Sequence, residues 1–472
     1  MFKRILIANR GECAIRIIRA CNELNIESVA IYSEPDSHAL HVKKADMAIL
    51  IGPDPVKSYL NIHRIVDIAI EAKCDAIHPG YGFLSENPEF AEAVIHAGIT
   101  YIGPSPDAIA NMGSKTAART AMLAAGVPCI PGTEASLTGS EEALEVARKM
   151  GYPVMLKAAA GGGGRGIRRC NNDEEVVENY KMTEREALAA FGNGELFMEK
   201  CIVEPRHIEF QILADSQGNV VHLFERDCSI QRRNQKLIEI APSNYISDDL
   251  RQHMGTVAVQ AAKAVNYVNA GTVEFLVDKN HNFFFMEMNT RLQVEHTITE
   301  AITGIDIVAV QISIAAGNEL PFTQDKISFK GHAIEFRINA EDPQNGFFPT
   351  PGTITRYYSP GGPGVRVDGC VSSGYEIPPH YDSMCAKLTV WGPTWKHAVT
   401  RSQRALKEYD IRGVKTTLPF YRNIAASDVF MGGQFDTGFM EQHPELLDYK
   451  PFEAREDIAA AVAIAIAAHA GL

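Results

Sequence analysis

The chain has 472 residues, a formal net charge of −13, 46% hydrophobic residues and 22% charged residues. At roughly 100–200 residues per domain, this length predicts about three domains, each able to bury its own core. The hydrophobic fraction excludes a disordered chain, the acidic balance argues against a nucleic-acid or anionic-membrane surface, and no apolar run approaches the roughly 18 residues needed to span a bilayer.

Residues 1–102 alternate strand and helix. Ile5 to Ala8, Ser28 to Tyr32, Asp46 to Ile51, Asp75 to Ile77 and Ile99 to Ile102 read as strands. Helical spacing covers Gly11 to Leu24, Ile62–Ala72 and Glu89–Ala97. This alternation predicts a mainly parallel, doubly wound sheet. The turn after the first strand reads Ala-Asn-Arg-Gly-Glu-Cys and not G-x-G-x-x-G, so a dinucleotide cradle is not expected. The N-terminal Met-Phe-Lys-Arg leads straight into the first strand, too short a lead for a signal peptide. The nine cysteines include no Cys-x-x-Cys pair, so zinc-knuckle and thioredoxin chemistry are set aside and buried, reduced thiols of a cytoplasmic protein are expected.

A second unit opens near Lys115 with a helix at Thr116–Ala124, a Gly-Pro turn at Gly126–Gly132, a helix at Ser140–Met150 and a strand at Pro153 to Ala158. The run Lys157-Ala-Ala-Ala-Gly161-Gly162-Gly163-Gly164-Arg165-Gly166 lies between strand-like Val154–Lys157 and Ile167–Cys170. It predicts a hairpin lid whose bare backbone can approach phosphates. Segment 225–236, with three arginines and Lys236, suggests an anion site in an acidic protein. Gly271–Val277 and Phe283–Val294 read as a hairpin that sets Glu274 opposite Glu287. Like charges facing across a ladder repel, and a divalent cation bound by both removes the objection. Alternation along Phe283–Val294 places Glu287, Asn289, Arg291, Gln293 and Glu295 on one face, metal ligands at one end and an anion clamp with a base at the other.

A third unit runs from Gly331 to about Leu447. Its strand His332–Ala340 turns Ala333, Glu335, Arg337 and Asn339 to one side, and its helix is Trp395–Tyr409. A separate tail, 448–472, carries Ile458, Val462 and Ile466 at four-residue spacing, one apolar stripe on an Ala-rich helix suited to docking on a partner or on its own body. The expected domains are therefore 1–114, 115–330 with a lid at about 132–203, and 331–447.

These motifs resemble the biotin carboxylases. The resemblance rests on Ile-Ala-Asn-Arg-Gly-Glu at 7–12, His78-Pro-Gly-Tyr-Gly-Phe-Leu-Ser-Glu-Asn, the Gly-rich lid and Glu-Arg-Asp-Cys-Ser at 225–229. It continues in Glu287-Met-Asn-Thr-Arg-Leu-Gln-Val-Glu and Arg337-Ile-Asn-Ala-Glu-Asp. It implies an α/β chain with a Rossmann-like N-terminal domain, an ATP-grasp central domain with a mobile lid, and a mixed α+β C-terminal domain. It further implies that Lys115, Lys157, His207 and the Gly163–Gly164 backbone hold ATP phosphates, while Glu199, Lys200, Cys201 and Ile202 meet adenine. Glu274, Glu287 and Asn289 would bind Mg2+ or Mn2+. Lys236, Arg291, Gln293 and the Val294 backbone would bind bicarbonate, with Glu295 as its base. Arg337 would stabilise the biotin enolate, and Tyr81, Gly82 and Asp382 would wall the biotin pocket. Asn234 stands where acetyl-CoA carboxylase versions often have histidine, and it can still hydrogen-bond a ribose.

The implied chemistry is carboxyphosphate formation from bicarbonate and ATP, then carboxylation of biotin. The carrier signature Ala-Met-Lys-Met is missing, so biotin is expected on a separate carrier/carboxyltransferase subunit. Family likeness also implies a homodimer. Residues 411–419, with Glu287-Met-Asn-Thr-Arg, His296-Thr-Ile-Thr-Glu and Tyr381-Asp-Ser-Met-Cys, resemble the biotin carboxylase subunit of two-subunit pyruvate carboxylases. The acetyl-CoA branch is the alternative. Another ATP-grasp ligase or a catalytically silent nucleotide-binding scaffold are the rival readings.

Overall fold

The computed structural model describes residues 1–133, 135–159, 166–449 and 455–469, with the side chains of 191 and 455–461 left out. Gly163 and Gly164 lie outside the described residues.

The N-terminal strands form one parallel sheet in the spatial order Met47–Gly52, Glu27–Ser33, Arg4–Ile7, Ala76–His78 and Thr100–Tyr101. Helices Gly11–Glu23, Ile62–Glu71 and Pro88–His96 pack on it. The helix starts are encoded locally: Asn61 accepts from Arg64 N, and Asn87, followed by Pro88, accepts from Phe90 N. At the mouth where a dinucleotide would sit, Arg10 is held by both carboxylate oxygens of Asp36 at 2.6 and 2.7 Å and stacks over Tyr381. The sequence thus fills that crevice with its own ion pair.

An eight-stranded antiparallel sheet forms the centre. Its spatial order is Phe283–Asn289, Asn269–Val277, Arg206–Ala214, Val220–Arg232, Gln235–Ala241, His332–Asn339, Met384–Gly392 and Val365–Gly369. The first five strands precede residue 331 and the last three follow it, so one continuous sheet joins the two segments. His332–Asn339 is buried on both faces, apolar Ile334, Phe336 and Ile338 on one and Glu335 and Asn339 on the other. The polar side faces the interior of the protein, not solvent.

The predicted lid hairpin forms: Val154–Ala158 pairs antiparallel with Ile167–Cys170 and, on its other edge, with Leu196–Lys200. Helices Ser140–Met150 and Asp173–Phe191 cover it through Ala143, Ala147, Val176, Tyr180 and Ala187.

The last helix, Arg455–His469, exposes Val462, Ile464 and Ile466 at 52%, 70% and 63%. Ile464 lies off the expected stripe, because two residues correspond to about 200° of rotation in a helix of 3.6 residues per turn. The exposed apolar residues of 462–466 therefore occupy more than one side of the helix. No single helix among the described residues is long and apolar enough to cross a membrane.

Candidate active site

The hairpin register is the one the sequence predicts: Glu274 pairs with Glu287, and Thr272 with Asn289. The expected strand, however, ends at Asn289. Glu86, from the His78–Asn87 motif, receives Thr290 N at 3.1 Å and Arg291 Nε at 2.9 Å, which pulls the chain out of the sheet. Residues 290–295 form an irregular turn into helix His296–Thr303. Arg291, Gln293 and Glu295 converge through this turn and not by strand alternation. Arg291 donates to Asn289 Oδ1 at 3.0 Å and to Gln293 Oε1 at 2.8 Å, and Gln293 Nε2 donates to Glu274 Oε1 at 2.9 Å.

Lys236 is the hub. Its ammonium reaches Glu209, Glu274 at 3.0 Å and Glu295 at 2.7 Å. Arg337 touches Glu295 at 3.0 Å and Glu239 at 2.5 Å. Glu295 is buried, which alone would raise its pKa, but Lys236, Arg337 and Arg226 outweigh that and hold it well below the usual carboxylate range. Glu274 is likewise held low against burial, by Lys236 and His207, whose Nε2 lies 2.6 Å from it. Asn289 donates to the same carboxylate at 2.8 Å.

Glu287 differs. Burial and then the charge of Glu274 push its pKa up, and among the described residues it has no hydrogen-bond donor or ion-pair partner. Glu287 is nonetheless exposed to solvent. An unneutralised carboxylate facing a second one suits an oxygen-liganded divalent cation. Glu274, Glu287 and Asn289 fit Mg2+ or Mn2+, on condition that Glu274 exchanges part of its contact with Lys236 and His207 for the metal.

The lysines expected at the phosphates stand nearby. Lys157 pairs with Glu199 at 2.5 Å. Burial, and then the charge of Lys157, lowers the pKa of Lys115, while Glu287 and Glu199 counteract. The Lys200 ammonium caps the carbonyls of Gly151 and Tyr152 at the end of a lid helix. Cys201 N–H is spent on Pro153 O, so only the Cys201 carbonyl and the Ile202 peptide are left for a base edge. Asn234 sits with Arg233 at a two-residue hairpin tip, both at positive φ of +65° and +50°. Asparagine suits that backbone, which gives it a conformational reason to occupy the position.

The arginines of segment 225–236 do not form one patch. Arg226 is fully buried on Glu209, Gln211, Thr272 and Thr299, and Arg232 turns to Gly346 O and the ring of Phe347. Lys236 alone of the segment contacts Glu274 and Glu295 directly, while Arg226 supports the site from behind through Glu209. Tyr81 borders the site beside Lys387, and Gly82, at φ +71°, follows it. Asp382 caps its own turn by accepting from Met384 N, and no contact with Arg337 or Glu295 is seen among the described residues.

Four participants were missed by sequence reasoning: Glu86, Glu209, Glu239 and Lys387. Glu209 was legible, because His207, Glu209 and Gln211 alternate with Ile208, Phe210 and Ile212. Glu86 lies in the conspicuous His78–Asn87 motif but its target was not legible, and Glu239 and Lys387 carry no local signal.

Three family models match in order. They are the biotin carboxylase N-terminal domain over residues 1–109, the carbamoyl-phosphate synthase L chain ATP binding domain over 114–323, and the biotin carboxylase C-terminal domain over 335–442. The chain is 54% identical over 472 residues to the 2-oxoglutarate carboxylase small subunit of Hydrogenobacter thermophilus, covering 100% of both. It is 55% identical over 444 residues to a biotin carboxylase of Halalkalibacterium halodurans, covering 94% of this chain and 98% of that one. It is 53% identical over 449 residues to a pyruvate carboxylase subunit of Methanothermobacter thermautotrophicus, covering 95% and 91%. Among solved structures it resembles the biotin carboxylase domain dimer of the Hydrogenobacter 2-oxoglutarate carboxylase, in complex with MgADP, ADP and bicarbonate. That match has a TM-score of 0.92 and 55% identity, and covers 95% of this chain and 99% of that one. With each of its three segments matched in sequence order and such identity over nearly full length, the chain belongs to the biotin carboxylase family.

Proposed function

We propose that this chain carboxylates biotin on a separate carrier subunit, using ATP and bicarbonate by way of carboxyphosphate, as the biotin carboxylase subunit of a 2-oxo acid carboxylase. The observation that carries the catalytic reading is the placement of Glu295 between Lys236 and Arg337, beside Arg291 and Gln293 and above the Glu274/Glu287 pair.

Bicarbonate sits against Arg291, Gln293, the Val294 N–H and Lys236. Glu295, ionised at neutral pH, takes its proton. As the dianion forms and Glu295 is neutralised, Lys236 and Arg337 transfer their attraction from the glutamate to the new charge. The depressed basicity of Glu295 in the ligand-free arrangement is thereby relieved at the moment of proton transfer. Lys115, Lys157 and His207 spread the charge of the transferring phosphoryl group; Glu274, Glu287 and Asn289 would hold a divalent cation, which would supply Lewis-acid neutralisation of the phosphates. Carboxyphosphate then yields carbon dioxide and phosphate, and that phosphate takes the N1 proton of biotin. Arg337 holds the biotin enolate that captures the carbon dioxide, beside Tyr81 and Gly82. The lid keeps water from carboxyphosphate. ADP release that requires bicarbonate and rises with free biotin tests this reading; no effect of biotin at high concentration removes it and favours another ATP-grasp ligase.

Pyruvate is the acceptor that the sequence favours. A second reading, 2-oxoglutarate, is supported by the Hydrogenobacter relative, whose match extends through the tail at 448–472. The acceptor binds a transferase on another chain, so the assay is the purified holoenzyme offered pyruvate, 2-oxoglutarate and acetyl-CoA. The nine free thiols accord with a reducing cytoplasm. A homodimer accords with the dimer described for the Hydrogenobacter domain.

A further inference from the structure

The Ile7–Glu12 motif carries a glutamate for which the proposed reaction has no use. Glu12 opens helix Gly11–Glu23, is buried, and has no hydrogen-bond donor on either carboxylate oxygen. Its one close charge is Lys387, at 3.2 Å. Lys387 comes from strand Met384–Gly392, is 0% exposed, and is the register partner of Arg337 on the next strand. Its ammonium donates to Val294 O at 2.7 Å and stands 5.5 Å from the ring centroid of Tyr81. One buried ammonium therefore touches the N-terminal segment, the turn that bears the bicarbonate groups, and the wall of the biotin pocket.

A buried ion pair is a poor device for stability alone, since apolar side chains of similar volume often do as well. The geometry points to a different use. A carbonyl and the following N–H lie in one rigid plane. Fixing Val294 O fixes the Val294–Glu295 peptide and hence the direction in which the Glu295 side chain leaves the backbone. The preceding peptide is pinned separately. His296 Nδ1 is 2.8 Å from Gln293 O, and burial, with Lys387, Arg16 and Arg366, keeps that imidazole neutral, so Nδ1–H donates. Two successive peptide planes that meet at the Val294 Cα are held: the first carries the Val294 N–H and the second starts the Glu295 backbone.

We propose that Lys387, held in place by Glu12, is a positioning residue for bicarbonate: it fixes the Val294–Glu295 peptide and couples the N-terminal segment to the bicarbonate site. The proposal rests on the bicarbonate assignment above.

The test uses the full chain with free biotin. Lys387→Met should raise the KM for bicarbonate by about tenfold, the size expected for losing a hydrogen bond from a charged donor, with the KM for ATP unchanged. A purely structural role would lower the folded fraction, and so kcat, without moving the bicarbonate KM. A folded Lys387→Met protein with a bicarbonate KM within about twofold of the unsubstituted chain overturns the proposal. Glu12→Gln keeps the shape and removes the charge that holds Lys387. It should raise the bicarbonate KM in the same direction, and it carries the test if Lys387→Met does not fold; an unchanged KM there overturns the proposal equally. Arg291→Ala separates the two claims. If it raises the bicarbonate KM while the Lys387 and Glu12 variants do not, Lys387 has no positioning role and the site stands; if it also leaves the KM unchanged, the bicarbonate assignment itself fails.

Discussion

Arg337 and Glu335 sit two positions apart on one strand face and illustrate how differently burial treats two charges. Arg337 has Glu239 and Glu295 as partners and stays charged. Arg337→Ala should keep ATP binding and lose most biotin carboxylation, measured as nucleotide affinity against carboxybiotin formed; near-normal carboxylation would exclude the enolate role. Glu335 lies directly across the ladder from Glu239, and two buried carboxylates there cannot both ionise. Burial, then Glu239, pushes Glu335 up to about 8, from the 4.5 of an ordinary glutamate. Between those values the folded chain holds a proton that the unfolded chain has released. The stability contributed by this site is thus full below about 4.5 and is lost as pH rises toward about 8. Glu335→Gln should flatten the decline of Tm across that window, and parallel Tm curves for the two proteins would assign the decline to another group. Neither carboxylate attracts notice in the sequence. The raised pKa comes from strand neighbours roughly a hundred residues away, a pairing that alternation in one strand does not reveal.

The hairpin Asn269–Val277 and Phe283–Asn289 is the element whose chemistry was most legible. The turn Asp278–Asn282 pairs Val277 with Phe283 and Phe275 with Phe285, and a one-residue bulge after Phe285 then sets Glu274 against Glu287. Glu287→Gln should raise the Mg2+ concentration for half-maximal ATP turnover by about tenfold, in line with losing one charged oxygen ligand. An unchanged Mg2+ requirement would move the metal elsewhere. The end of that strand was misread for a physical reason. Met288, Thr290, Leu292 and Val294 alternate with polar residues as a strand would, and what breaks the ladder is Glu86, brought from the N-terminal segment to take Thr290 N. The motif containing Glu86 was conspicuous, but its target was not. The basic segment 225–236 misled in the opposite sense, because sequence proximity suggested a patch and the strand sent Arg226 inward and Arg232 outward.

At the scale of the molecule, the parallel sheet, the lid hairpin and the order of the three segments were readable from alternation and turn residues. The continuous eight-stranded sheet across residue 331 was not, since Gln235–Ala241 and His332–Asn339 pair over a long sequence separation. That pairing brings Arg337 and Lys387 to the residues of the central segment. The tail helix exposes Val462, Ile464 and Ile466, and docking on the subunit that carries biotin is the use proposed for it. Deleting residues 457–472 should leave free-biotin carboxylation intact and weaken holoenzyme assembly at least about tenfold, measured by sedimentation with that subunit; equal assembly would assign the tail no docking role. The central claim is that bicarbonate, deprotonated by Glu295, attacks the γ-phosphate of ATP. Turnover with 18O-labelled bicarbonate in ordinary water, followed by mass analysis of the released phosphate, tests it most directly. The account predicts one bicarbonate oxygen in each phosphate beside three from ATP, and unlabelled phosphate, its fourth oxygen taken from water, would contradict it.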